Sequence, residues 1–413
     1  MRLLHTADWH IGNVFHKHVR LDEHRHFFDW LIGRLEEHRP DALLVSGDVF
    51  DSPNPSAEAE RLFYDVLRRA TEAVPGLQVV VTSGNHDSAG RLDAPADFLK
   101  RENVYIRGLV RRDEADEPDF AHYMLPLSLH NSREAEVVVF AVPYLRPSDY
   151  PAGSTPAEGL RYFLDGIHRV YKKSDFNGLP LVCMAHCYAA GAEISALEHS
   201  ERLVVGGQDI IEPAAFTASF SYVALGHIHK AQCVDTARHI HYAGSALPMS
   251  FTEKGYRHGC NLVTVEPDGK SSVERLAYLP QRSLVSIPAQ GAASPEAVLR
   301  EIEALPERSR HDNVAEYPYV EVRVLETQPE PGLLHRITAA LGDRAACFCR
   351  VVRELPEDSR STAASIASLE KLRRLSPLEM AQKVYRQRYG EPLPEPLEKR
   401  FLEAAGHCAD LVN

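Results

Sequence analysis

The sequence predicts an α/β fold, and three observations carry that prediction. Apolar runs rich in Val, Leu and Ile, with little alternation, recur through roughly the first half of the chain and read as strands buried on both faces. Helical apolar spacing fills the gaps between the early runs, and strand–helix–strand order is the α/β signature. Each run also ends in Asp, Asn or His, and in such folds ligands gather at the carboxyl ends of strands.

In order, "RLLHTADWH" passes through Leu3 and Leu4 to Asp8 and His10. "HRHFFDWLIGRLEEH" then carries Phe27, Trp30, Leu31 and Leu35 at helical spacing, with His24 and His26 expected on the exposed side. "ALLVSGDVFD" ends at Asp48 and Asp51. "SAEAERLFYDVLRRA" opens with Ser56 as N-cap and places Leu62, Phe63, Val66 and Leu67 on one face, read as ordinary core. "LQVVVTSGNHD" ends at Asn85, His86 and Asp87, "LPLVCMAH" at His186, and "SYVALGHIH" at His227 and His229. His239 and His241 repeat the two-residue spacing, but they begin an apolar run and suit a solvated strand face.

Beyond about residue 240, "HIHYAGSALPMSF", "GCNLVTVEP" and "VERLAYLP" read as a β-rich completion of the first unit. From Leu284 to about Val352 the pattern is strand, helix, strand, helix, strand, a small α+β unit of its own. "LPEDSRSTAASIAS" suits a linker. After it, Ser376, Pro377 and Glu379 form a complete helix start, with Leu378, Ala381, Tyr385 and Tyr389 on one face. A second amphipathic helix would carry Leu397, Phe401, Leu402 and Ala405. Such a pair suits packing on its own main domain or docking onto a partner.

The 413 residues allow two or three domains, and the composition is that of a soluble globular protein. No run reaches the roughly 18 apolar residues of a membrane helix, and the N-terminus lacks a signal peptide's apolar region, so a cytoplasmic place is expected. Seven scattered cysteines without CxxC spacing predict buried reduced thiols rather than disulfides or a zinc ribbon. A net charge of −12 argues against simple coating of nucleic acid, though bound divalent cations can reverse the local field.

The strand ends together supply Asp8, His10, Asp48, Asn85, His86, His186, His227 and His229. Carboxylate, imidazole and amide oxygen without thiolate is ligand chemistry for Mn²⁺, Fe²⁺ or Zn²⁺ in a hydrolytic site. One ion takes about four to six donors, so the set suits two ions roughly 3.5–4 Å apart sharing a carboxylate. Asp51 and Asp87 fit the orienting of neighbouring ligands or the capping of turns better than ligation.

Asp8-Trp9-His10, Gly47-Asp48-Val49-Phe50-Asp51, Gly84-Asn85-His86-Asp87, Ala185-His186 and Gly226-His227-Ile228-His229 resemble the five motifs of the calcineurin-like metallophosphoesterases. "LHTADWHIG", "GDVFDSPNPS", "GNHDS", "PYLRP" and "YVALGHIHKAQ" are similar within that superfamily to the SbcD nucleases of bacterial SbcC–SbcD complexes. The resemblance implies a four-layer α/β/β/α sandwich with a small α+β cap domain and a C-terminal helix pair. It implies a nuclease domain over 1–282, a DNA-capping domain over 283–355, a linker over 356–369 and the helix pair over 370–413. Asp8, His10 and His229 would hold one metal, Asn85, His186 and His227 the other, and Asp48 would bridge them. His86 would face the scissile phosphate as a charge-stabilising or proton-donating group rather than a ligand. Ile228, between the two histidines, would face the protein interior.

The implied activity is Mn²⁺-dependent 3′→5′ exonuclease on duplex ends and endonuclease on hairpins and single strands, in DNA end processing and repair, with Mg²⁺, Fe²⁺ or Zn²⁺ as other candidate ions. The chain has no G-x-x-x-x-G-K-[ST] loop, so ATP use would belong to an SbcC-type ATPase partner held by the C-terminal helix pair. A homodimer through the helical region of Leu62, Phe63 and Val66 and a nucleoid-associated location are further implications. Asp51 stands where archaeal and eukaryotic relatives carry a histidine, which leaves the seating of DNA open. Two rival readings use the same residues: a phosphoesterase for phosphoproteins or nucleotides, and a non-catalytic scaffold with a vestigial site.

Overall fold

The computed structural model describes residues 1–193, 210–326 and 330–354, with Leu378, Gln382, Tyr385, Arg386, Leu393, Pro394, Leu397, Glu398 and Arg400. The chain begins β1 (Arg2–Thr6), α1 (Leu21–His38), β2 (Ala42–Ser46), α2 (Ala57–Ala73), β3 (Gln78–Thr82) and β4 (Val104–Arg107). It continues β5 (Met124–Ser128), β6 (Ala135–Ala141), α3 (Pro156–Lys173), β7 (Leu181–His186) and β8 (Tyr222–Gly226). Next come β9 (Gln232–Asp235), β10 (Ile240–Tyr242), β11 (Gly259–Val265) and β12 (Ser271–Ala277).

These strands form two six-stranded sheets, in the orders β12-β11-β1-β2-β3-β4 and β9-β10-β8-β7-β6-β5. Strands β1 to β4 run parallel, as do β6, β7, β8 and β10, and antiparallel strands close every edge except that of β4. Burial on both faces explains the absence of alternation in the sequence. Leu4, Leu43, Val45, Val79 and Val81 pack against Phe27, Leu31, Phe63 and Val66 of α1 and α2. Their neighbours Leu3, Ala42, Leu44 and Val80 instead meet Val139, Val182, Met184 and Ala224 of the second sheet. The outer face of that sheet packs on Phe163, Leu164 and Ile167 of α3. The layers are therefore α/β/β/α, as expected, and each buried Val or Leu contributes roughly 1.5–3 kcal/mol.

The helix ends follow their local chemistry. Ser56 Oγ accepts the Ala59 N–H, and Thr155 with Glu158 forms a reciprocal capping box before Pro156. From Leu284 the chain folds as β13 (Leu284–Ile287), α4 (Pro295–Glu303), β14 (Tyr319–Leu325), α5 (Leu333–Leu341) and β15 (Cys347–Glu354). The three strands are parallel in the order β13-β14-β15. Val320, Val322 and Val324 face α4 and α5, while Tyr319 packs with Phe15 and Phe251 of the sandwich. Beneath Tyr319 lies a buried ion pair. Arg20 donates to both Glu23 carboxylate oxygens and to Pro248 O, and the Tyr319 hydroxyl donates to Glu23 at 2.7 Å.

Three expectations are corrected. His24 is fully buried rather than exposed, its ring nitrogens 3.0 and 2.8 Å from the carbonyls of Arg20 and Trp9. His241 is half-buried and stacks on Tyr222 instead of lying solvated. Leu62, Phe63 and Val66 lie in the core, as read from the sequence, and Tyr64 is the exposed aromatic of that helix. Cys233 is an exposed thiol, whereas Cys183 and Cys260 are buried.

The helix start at Ser376, Pro377 and Glu379, the expected linker, and Ala381, Tyr389, Phe401, Leu402 and Ala405 lie outside the described residues. Leu378, Gln382, Tyr385, Arg386, Leu397, Glu398 and Arg400 are helical, and Gln382 donates to Glu398 at 3.2 Å. No helix among the described residues is long and apolar enough to cross a membrane.

Candidate metal centre

Both sheets bring the carboxyl ends of their central strands to one place. Asp8 and His10 follow β1, Asp48 follows β2, and Asn85 and His86 follow β3; His186 ends β7, and His227 and His229 follow β8. The loops after β1 and β2 stay paired past the sheet, since the N–H groups of Asp8 and His10 donate to the carbonyls of Gly47 and Asp48. Asp8, His10, Asp48 and His227 all have positive φ, between 46° and 102°. That conformation costs an L-residue about 1–2 kcal/mol, so four of the expected ligands sit on strained backbone held by its surroundings.

Two glycines make the convergence possible. A Cβ on Gly226 would stand 1.8 Å from Ser46 O, where the two sheets meet, and 2.8 Å from His186 Nδ1. A Cβ on Gly84 would stand 2.1 Å from Asp48 Oδ1. Asp87 stays out of the cluster, and its carboxylate accepts the backbone N–H groups of Val49, Phe50 and Gly84. Ile228 is buried in the core between the second sheet and α3, which turns its two neighbours toward the strand-end cluster.

Three donor groups result, each with ligand atoms within 4.8 Å of one another: Asp8, His10 and His229; Asp48, His186 and His227; and His10, Asp48 and His86. The two rings of the His227–His229 pair thus fall in different groups. Asp48 Oδ2 lies 3.2 Å from His186 Nε2 and 3.7 Å from His10 Nε2, between the first two groups. Asn85 Oδ1 lies 3.0 Å from both His186 Nε2 and His227 Nδ1. His86 Nδ1–H points to Asp51 O at 3.0 Å, and the His86 N–H donates to Asp48 Oδ1.

The donors fit divalent cations. Asp8 Oδ2 is buried and accepts no hydrogen bond, an expensive state for a carboxylate unless a cation satisfies it. His10 Nε2 and His229 Nε2 face each other at 3.2 Å, and two acceptor oxygens converge on His186 Nε2. Only a proton or a metal reconciles lone pairs so placed. Burial pushes the Asp8 carboxyl above its ordinary range, more than His186 and His229 pull it down. Burial would also raise Asp48, but His186 and His10 hold it well below that range. Burial opposes a charge on His186, yet Asp48 and Asp8 bring its imidazolium up to about 9. Burial and the adjacent His186 push His227 down to about 3.

Sequence reasoning missed Glu253. Its Oε1 lies 3.2 Å from His229 Nδ1, and its Oε2 accepts the Met249 N–H at 2.8 Å. Asp51 stands similarly beside His10, 3.4 Å from Nδ1, and accepts from Asn13.

Residues 1–231 match the calcineurin-like phosphoesterase family, and residues 280–389 match the SbcD C-terminal family described as type 5 capsule protein repressor C-terminal domain. The SbcD component of the SbcCD nuclease from Rhodobacter capsulatus is 35% identical over 376 residues, covering 88% of this chain and 90% of that protein. This chain belongs to the SbcD family. Escherichia coli K12 has an SbcD relative of the same name, 31% identical over 67% of this chain and 68% of its own. The Bacillus subtilis SbcD relative is 30% identical over 69% of this chain and 71% of its own. Asp8, Asp48, Asn85, His86, His186, His227 and His229 lie within the phosphoesterase match, whereas Glu253 lies beyond it.

Proposed function

We propose that this SbcD family member is a metal-dependent DNA nuclease that hydrolyses phosphodiesters at a two-ion centre. The observation that carries the proposal is the meeting of two sheets' strand ends in a buried donor cluster with an unsatisfied Asp8 Oδ2. Asp8, His10 and His229 would hold the first cation, Asn85, His186 and His227 the second, and Asp48 would lie between them. The family resemblance favours a pair of Mn²⁺ ions; Mg²⁺, Fe²⁺ or Zn²⁺ are the other candidates for these donors. When bound, divalent cations polarise the phosphodiester and activate water.

The chain's own groups do the rest. His186 Nδ1–H donates to Ser46 O at 3.0 Å, which turns Nε2 toward Asp48 and Asn85. His86, anchored by Nδ1–H on the Asp51 carbonyl, is half-buried and keeps Nε2 for the substrate, where it would stabilise charge or protonate the leaving oxygen. Such a nuclease would cut duplex ends 3′→5′ and open hairpins endonucleolytically. It would work with an SbcC-type ATPase partner on the C-terminal helix pair, and as a homodimer through the helical region of Leu62, Phe63 and Val66, where Tyr64 is exposed. The unit from Leu284 to Glu354 would cap the DNA path.

Digestion of a labelled hairpin and a linear duplex with Mn²⁺, with and without the ATPase partner, tests this. Metal-dependent nicking or end resection is expected. Failure under both conditions, with release of phosphate from nitrophenyl phosphate or a nucleotide instead, would move the chain to another substrate class.

A further inference from the structure

The turn that carries Glu253 touches two things at once. Its carboxylate is buried, with Oε1 at His229 Nδ1 and Oε2 on the Met249 N–H. Two residues earlier, Phe251 is also buried, its ring 5.4 Å from that of Phe15 and 5.4 Å beneath the Arg350 guanidinium of β15. One residue later, Lys254 Nζ donates to Ser286 Oγ of β13 at 3.2 Å, and Ser286 donates onward to Glu321 of β14. Glu321 in turn accepts from Arg350 at 2.7 Å. A short 3₁₀ turn, Phe251–Glu253, is thus gripped from one side by the three-stranded unit and holds a candidate ligand with the other.

We propose that Glu253 is a positioning residue for the first cation, and that the turn Ser250–Lys254 couples the seating of the three-stranded unit to that cation's affinity. This coupling rests on the two-ion reading above. Glu253 fixes the tautomer of His229: a proton on Nδ1 facing the carboxylate leaves Nε2 with its lone pair toward His10 and Asp8. In E253Q the side chain retains one acceptor for two donors, Met249 N–H and His229 Nδ1–H. If its NH₂ faces the ring, Nδ1 must accept, and the proton moves to Nε2 where it blocks ligation. His186, at the second cation's place, is oriented instead by the Ser46 carbonyl of the first sheet.

Calorimetric titration of the chelator-stripped full chain with Mn²⁺ tests the coupling, with melting curves in chelator as the folding control. The wild-type chain should take up two ions. E253Q should weaken one of the two steps about 10–100-fold and leave the other unchanged. Phe251→Leu, and Lys254→Ala at an exposed position, should weaken the same step by a smaller factor. Equal titrations for wild type and E253Q would overturn the positioning role. Weakening in E253Q with neither Phe251→Leu nor Lys254→Ala affected would overturn the coupling. A wild-type chain that binds no more than one ion would instead sink the two-ion reading itself.

Discussion

Asp8 and His227 join the two sheets at the centre: the His227 N–H donates to Asp8 Oδ1 at 2.9 Å, while Asp8 Oδ2 remains buried without a hydrogen bond. Asp8→Asn keeps the bridging acceptor and removes the charge. Nuclease activity should fall by more than the roughly 10–100-fold cost of losing a ligand's supporting partner. Melting in chelator should be unchanged or higher, because burial disfavours the charged carboxyl. A lower melting temperature with activity retained would contradict the assignment.

His86 lies near His10 and Asp48 yet is assigned to the substrate. His86→Ala should cost about 10²–10⁴-fold in turnover, while calorimetry still counts two Mn²⁺ ions. Loss of an ion would make His86 a ligand.

Gly226→Ala would drive a methyl into the Ser46 carbonyl. The expected cost is about 1–3 kcal/mol or more, read as a shifted urea midpoint, together with weakened metal binding through displacement of His186.

Glu23→Ala would strand Arg20, whose side chain is buried. An uncompensated buried charge costs about 3–5 kcal/mol. Tyr319→Phe removes one hydrogen bond to the same carboxylate and should cost only about 1 kcal/mol. Urea titrations of the two variants check the ratio.

Burial pushes His5 down to about 3 and His258 down to about 4, from an unfolded value near 6.5. The unfolded chain therefore binds more protons in the window between those values. The contribution of these two groups to stability is full above about pH 6.5 and declines as pH falls toward 4 and then 3. A shift of this size in one group is worth on the order of 3 kcal/mol. In chelator, His258→Asn should flatten the slope of stability against pH between about 6.5 and 4; an unchanged slope would place the dependence elsewhere.

The strand ends were legible in the sequence, because runs buried on both faces stop abruptly at polar residues that the core cannot hold. Asp8, Asp48, Asn85 and His186 stand out for that reason. Glu253 did not, since "SFTEKG" has no periodic pattern and its carboxylate meets His229 only through tertiary folding. His24 did leave a signal: it precedes Phe27, Phe28 and Leu31 by three, four and seven residues, on the buried stripe of α1. A polar residue at that phase calls for internal partners, here the carbonyls of Arg20 and Trp9. For α2, the apolar face of Leu62, Phe63 and Val66 was legible as core from its helical spacing, and the structure buries it.

The division of donors between the sheets has a consequence for biosynthesis. Asp8, His10, Asp48 and Asn85 leave the ribosome roughly a hundred residues ahead of His186, and His227 and His229 emerge later still. At about 5–20 residues per second the gap lasts on the order of ten seconds. During that interval the nascent chain offers two carboxylates, one amide and the single His10 imidazole of the donor set, but no closed cage. Under the proposed two-ion reading, cation capture would be timed to the docking of the second sheet, and the metal would be selected from the surroundings by a nearly finished scaffold.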